Sequence, residues 1–229
     1  MKCVQYKDLG LIDYKQAWDY QEKLLANIIE KKLQPHANVV DDNFLLFCEH
    51  PHVYTLGKSG EANNLLINDE FLNRIQATYY KINRGGDITY HGPGQLVGYP
   101  IFDLEKFHLH VKEYVHHVEE AIIRMLNEYG IFSTRLEGAT GVWLDTDNPQ
   151  RCRKICAIGV RVSRWVTMHG FALNANTDLN YFNHINPCGF TDKGVTSMQK
   201  ELGYEIDIHE LKTKLRNQFE EIFGFQSRL

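Results

Sequence analysis

RKICAIGVRVSRWVTMHGFAL, residues 153–173, decides the fold class. Two strand-like runs, 153–162 and 165–173, are separated only by Ser163-Arg164, the spacing of a β-hairpin. A hairpin pairs its arms antiparallel, so the sheet that holds it is not all parallel. Side chains alternate along a strand, which predicts that Lys154 shares a face with Cys156, Ile158, Val160 and Val162. A lysine at the head of an apolar face either snorkels at the strand end or points inward. If inward, desolvation lowers its pKa and offers a neutral amine as base, whereas its charged form favours a nearby thiolate.

Upstream lies NRGGDITYHGPGQLVGYPIFDL, residues 83–104. Four glycines within residues 85–94 let the backbone turn tightly and approach a ligand. Arg84, Asp87, Tyr90, His91 and Gln95 place donors and acceptors around the same bend. The run is longer than an ordinary turn of two to five residues and reads as a binding loop leading into an apolar strand at 96–104.

The remaining chain supplies helices and further strands. Residues 14–32 carry a helical apolar stripe, with Asp13 as N-cap. Residues 111–129 form a second helix, with Gly130 placed to cap its end. Short apolar runs at 43–48, 53–56, 78–82 and 141–144 read as strands, and residues 179–182 as a helical turn. Thr196 with Gln199 resembles a capping box, and Asp207 with Glu210 opens a last helix over 208–223. This mixture predicts an α+β fold, a mixed β-sheet packed with helices, in one domain spanning residues 1–229.

Composition narrows the function classes. The 229 residues are 43% hydrophobic, enough for one sizeable core, and the net charge of -4 argues against nucleic acid as partner. No apolar run approaches the ~20 residues of a membrane span, and the N-terminus lacks the pattern of a signal peptide. Five irregularly spaced cysteines point to reduced thiols in a cytoplasm.

Among those cysteines Cys188 stands apart, in the turn-like Asn186-Pro187-Cys188-Gly189-Phe190. A thiol near its reference pKa of ~8.5 is only slightly ionised at neutral pH and needs a helper to act as nucleophile. Lys154 is the candidate helper, and His91 and His169 are rival bases. Cys48, His50 and His52 have an i, i+2, i+4 spacing, but Pro51 interrupts it and no fourth ligand follows, so no metal is expected. Arg151, Arg153, Arg161 and Arg164 cluster on the hairpin, as either a local basic patch or a solvated arginine face.

Taken together, these motifs resemble the octanoyltransferases of lipoate biosynthesis. The likeness runs through EHPHVYTLG at 49–57, RGGDITYHGPGQLVGYP at 84–100, KICAIGVRV at 154–162, HGFALN at 169–174 and INPCG at 185–189. It departs from the family at His52, where a second proline is usual, and loosely at Asn174-Ala175-Asn176. The resemblance implies a fold related to biotin and lipoate protein ligase catalytic domains. It implies octanoyl transfer from octanoyl-acyl carrier protein to a lysine of lipoyl domains, in oxoacid dehydrogenase E2 subunits and the glycine cleavage H protein, with no cofactor. On this reading Cys188 is the acyl-thioester nucleophile and Lys154 lowers its pKa. The acyl-substrate contacts become Arg84, Gly85, Gly86, Asp87, Ile88, Thr89, Tyr90 and His91, with Ala157, Ile158, Gly159, Gly170, Phe171 and Ala172. Backbone N–H groups of residues 170–172 are the expected oxyanion donors.

Overall fold

The computed structural model describes residues 2–34, 43–186 and 193–228. Among these, nine strands form one sheet, in which β1 (Lys2–Leu11) lies between β12 (Phe225–Arg228) and β2 (Asn43–Glu49). Beyond β2 come β6 (Gln95–Ile101), β10 (Val166–Asn174), β9 (Arg153–Ser163), β8 (Ala139–Leu144) and β7 (Thr134–Leu136). The short β11 (Gly194–Val195) runs parallel to β9. β1 pairs in parallel with both neighbours, whereas β2/β6, β6/β10, β10/β9, β9/β8 and β8/β7 are antiparallel. The sheet is mixed, as the hairpin requires.

That hairpin is offset by one residue from its sequence reading. Ser163 pairs with Val166, so the two-residue turn is Arg164-Trp165, both at positive φ (48° and 65°). Positive φ at both central residues gives a turn whose twist matches the strands it joins, though it costs non-glycine residues on the order of 1–2 kcal/mol each. Pairing along the two long arms offsets that cost.

One face of the sheet carries α4 (Val111–Glu128) and α6 (Ile208–Phe223), which bury Val118, Ile122, Leu215 and Phe219 against Phe47, Ile155 and Phe171. The other face carries α1 (Tyr14–Lys32), whose Asp13 N-cap accepts the Gln16 amide at 3.1 Å. Helix α1 packs Ala17, Leu24, Leu25 and Ile28 onto Val97, Tyr99, Met168 and Ala172. Burying Leu24, Leu25 and Ile28 contributes roughly 5–9 kcal/mol before the cost of ordering the chain.

A second sheet, β4–β3–β5, joins β3 (Val53–Leu56) to β4 (Thr78–Lys81), which follows the short helix α2 (Asp69–Arg74), and to β5 (Ile88–His91). The glycine-rich stretch is therefore not one loop, because β5 is a strand within it, antiparallel to β3. The apolar strand after it stops at Ile101. Asp103 then caps a short helix, α3 (Leu104–Phe107). Near the C-terminus Ser197, not Thr196, caps α5 (Met198–Leu202), since the Gln199 amide goes to the Ala175 carbonyl at 2.9 Å. Among the described residues no helix is long and apolar enough to cross a membrane.

Candidate active site

On the α1 face of the large sheet, the small sheet folds over β6, β10 and β9 and leaves a cavity of about 270 Å³. Its junction is made by main chain, with Gly85 N–H donating to Val160 O at 3.0 Å. Gly159 permits this approach, because a Cβ there would lie 2.8 Å from Gly85 O and 3.1 Å from Arg84 Cδ. Arg84 is held against β3, its Nη2 donating to Thr55 O (2.7 Å) and Oγ1 (3.0 Å).

The cavity collects most of the expected acyl contacts. Arg84, Gly86, Asp87, Ile88, Thr89 and His91 line it from the glycine-rich stretch, and Ala157, Ile158, Gly159, Gly170, Phe171 and Ala172 from the hairpin. Gly85 and Tyr90 do not line it. Tyr90 turns to the far side of β5, where it shares a 2.7 Å hydrogen bond with His52 Nδ1 and stacks on Tyr181. Ile158 and Phe171 direct their side chains into the α4/α6 core, so they offer the cavity main chain. Of the expected oxyanion donors, Phe171 and Ala172 pair with both β6 and β9, whereas Gly170 pairs only with Gly159 of β9.

Lys154 reaches the cavity by a departure from simple alternation. Val142 pairs with Cys156 but Trp143 pairs with Lys154, so β9 carries one extra residue there, a β-bulge. Ile155 and Cys156 consequently both enter the α4/α6 core. Lys154 moves to the opposite face, with Ala157 and Gly159, and lines the cavity. The expectation that it shares a face with Cys156 and Ile158 is corrected by this one residue. Its Nζ stands 4.5 Å from the centroid of the Trp143 ring.

Cys188 lies outside the described residues. The described chain resumes at Lys193, which lines the cavity together with Gly194 and Val195, and Val195 pairs with Lys154 across β11 and β9.

Both cavity histidines are buried and neutral. Gln95 Nε2 donates to Tyr90 O (3.1 Å) and Asn174 Oδ1 (2.9 Å), which leaves Gln95 Oε1 to accept His91 Nδ1–H at 2.8 Å. Burial, with His50 and Arg84 nearby, pushes His91 down to about 3. His169 adopts a positive φ of 59°, and its Nε2–H donates to Asn83 Oδ1 at 2.9 Å. Burial and the neighbouring Arg84 and Arg161 hold it near the same value, about 3. Neither suits a general base at neutral pH, which needs a pKa close to the working pH.

His50, the centre of the Cys48/His50/His52 spacing, bonds Ile12 O and Tyr99 OH, each at 2.7 Å. The hairpin arginines are mostly paired. Arg153 bridges Asp145 (2.5 Å) and Glu201 (2.7 Å), Arg161 meets Glu22 (2.7 Å), and Arg151 approaches Asp145 (3.4 Å). The expected basic patch is thus largely compensated. Of the other cavity residues, Val97, Tyr99 and Asn174 fall within the quoted motifs, whereas Tyr14 and Trp143 carried no functional signal in sequence, since each reads as part of a stripe or strand.

The fold and this cavity fit a known group. The lipoyl protein ligase A/B catalytic domain matches residues 13–220, and the chain belongs to that family. In overall shape it is similar to the bipartite lipoate protein ligase of Thermoplasma acidophilum (TM-score 0.68, 14% identity, covering 99% of this chain and 85% of that one). It is likewise similar to a lipoate-protein ligase A bound with ATP (TM-score 0.67, 14% identity, 98% and 86% covered). Within the family the chain belongs with the transferases. It is 55% identical over 227 residues to an octanoyltransferase of Cytophaga hutchinsonii, covering 97% of this chain and 93% of the relative. It is 58% identical over 208 residues to one of Bacteroides thetaiotaomicron, covering 91% and 90%.

Proposed function

We propose that this enzyme moves an octanoyl group from octanoyl-acyl carrier protein to a lysine of lipoyl domains, without ATP, through a thioester on Cys188. The acceptors are the lipoyl domains of oxoacid dehydrogenase E2 subunits and the glycine cleavage H protein, and the site of action is the cytoplasm. The observation that carries this reading is the cavity lined by Ala157, Gly159, Gly170, Ala172 and Lys154. Gly159 and Gly170 let neighbouring main chain close in, and the small side chains of Ala157 and Ala172 leave room for a slender alkyl tail. Compared with acetyl, octanoyl adds six methylenes, each contributing ~0.8 kcal/mol when buried, or about 5 kcal/mol in all.

The cycle balances without a co-reactant. The Cys188 thiolate attacks the donor thioester, and the departing carrier thiolate takes a proton from the Lys154 ammonium. The acceptor lysine, as a neutral amine, then attacks the Cys188 thioester. Lys154, now neutral, takes the proton that this amine sheds, and the Cys188 thiolate leaves. Exchange of thioesters is close to isoenergetic and amide formation is downhill.

Intact-mass analysis after incubation with octanoyl-acyl carrier protein, without ATP, tests the reading. Wild type should gain one octanoyl group that hydroxylamine removes. Cys188→Ser should gain none, and Lys154→Ala should gain it slowly. Activity seen only with ATP and free octanoate would overturn the reading in favour of an acyl-adenylate ligase.

A further inference from the structure

The bulge at Ile155 does more than turn Lys154 inward, because it sets the lysine directly across the ladder from Trp143. The Trp143 ring is 2% exposed and held by its own hydrogen bond, Nε1–H donating to Ala139 O at 2.9 Å. Lys154 Nζ lies 4.5 Å from the ring centroid, inside the range at which a ring face attracts an ammonium ion. Room for the lysine stem comes from Gly141, at φ +125°. A Cβ there would sit 2.6 Å from Cys156 O and 3.4 Å from Lys154 Cε. The Gly141 N–H is in turn taken by Glu119 Oε1 on α4, at 3.0 Å. Three features of β8 therefore converge on one lysine.

We propose that Trp143 is a positioning residue for acyl transfer: its indole face holds Lys154 in the ammonium form at the cavity wall. This rests on the role given to Lys154 above and extends it. A ring face attracts the ammonium and not the neutral amine, so Trp143 biases the lysine toward the state that faces a thiolate and protonates the leaving carrier thiolate. Once that proton is given, the ring favours its recovery from the incoming amine.

Other ionisable groups line the same cavity, among them Arg84, Asp87, His91 and His169. Cys156 and Arg153 belong to its own strand, and the Arg153 guanidinium is engaged by Asp145 and Glu201. Glu119 on α4 is engaged by Gly141 N–H and by Arg135. Lys193 lines the same cavity.

The test varies the electronics of the ring while keeping its shape. Trp143 becomes the only tryptophan once Trp18 and Trp165 are changed to Phe. It is then replaced by mono-, di- and trifluorotryptophan, and Lys154 is titrated through its ¹³Cε resonance. The midpoint should fall stepwise by a total of about 0.5–1 pH unit. The alkaline limb of the pH profile for octanoyl-enzyme formation should move with it. Trp143→Phe should fall between wild type and Trp143→Leu, so that partial rescue follows the ring and not the bulk. An unchanged Lys154 midpoint across the fluorinated series would overturn the proposal even if every variant transferred octanoyl. A protein that forms no octanoyl adduct would instead sink the functional reading, while the titration would still judge the Trp143–Lys154 pairing.

Discussion

Replacing Gly159 by alanine tests whether the cavity depends on main-chain contact between the two sheets. The new methyl would lie 2.8 Å from Gly85 O and 3.1 Å from Arg84 Cδ. Neither neighbour yields easily. Gly85 is tied to Val160 O by a 3.0 Å hydrogen bond, and Arg84 is anchored on Thr55 at 2.7 Å and 3.0 Å. Overpacking of this kind costs about 1–3 kcal/mol. In a chain of this size that corresponds to a fall in Tm of roughly 2–12 °C. Because Arg84 lines the cavity, the KM for octanoyl donor should rise along with the loss of stability. Gly194→Ala is the matched control, since its Cβ would meet nothing closer than Arg153 Cβ at 3.5 Å and its backbone needs no positive φ. Thermal unfolding and steady-state transfer on both variants decide the matter. If Gly159→Ala matched Gly194→Ala in Tm and KM, the close approach at Gly159 would not be holding the cavity together.

Three further outcomes follow from the same geometry. His50, His91 and His169 are held down to about 4, 3 and 3, so the unfolded chain binds more protons than the native one below its ordinary histidine pKa. Stability should therefore be complete above about pH 6.5 and fall as pH drops from there toward 4, by as much as about 4 kcal/mol per pH unit where all three contribute. Urea unfolding at pH 7 and pH 5 that agreed closely would contradict their buried, neutral state. Ala172→Phe should fill the cavity, cutting octanoyl transfer at least about tenfold (1.4 kcal/mol or more of lost burial) while sparing a butanoyl donor; equal losses for both chain lengths would place the tail elsewhere. Gln95→Leu removes the hydrogen bonds to His91 Nδ1–H, Asn174 Oδ1 and Tyr90 O, at a cost of about 1–3 kcal/mol for each buried group left unsatisfied. Chemical denaturation showing no loss would refute that network.

Much of the architecture was legible because local rules and tertiary packing agree. The 14–32 helix and its Asp13 cap, the 111–128 helix and the last helix all follow from 3.6-residue stripes that do bury their apolar faces. The antiparallel hairpin followed from two apolar runs with a two-residue gap, and only its register moved. What escaped were strands without an apolar signature. β1 has mostly half-exposed positions and β12 has four residues, two of them exposed, so neither carries a pattern of its own. They are strands because each completes a neighbour's hydrogen-bond ladder.

The candidate site divides in the same way. Sequence alone determined which residue types gather: the glycine-rich stretch, the small residues of the hairpin and Lys154, most of which the fold brings to one cavity. It also determined the family, through ordered motifs that need no coordinates. Tertiary structure decided the directions. One extra residue at Ile155 reverses the face of Lys154, and an antiparallel β5 sends Tyr90 away from the cavity while keeping His91 in it. Ion pairs with Asp145, Glu201 and Glu22 silence most of a basic patch that looks open in one dimension. The reason is physical: composition and spacing specify what a segment can do. Register, bulges and charge partners depend on residues far away in the chain, and those exist as neighbours only after folding.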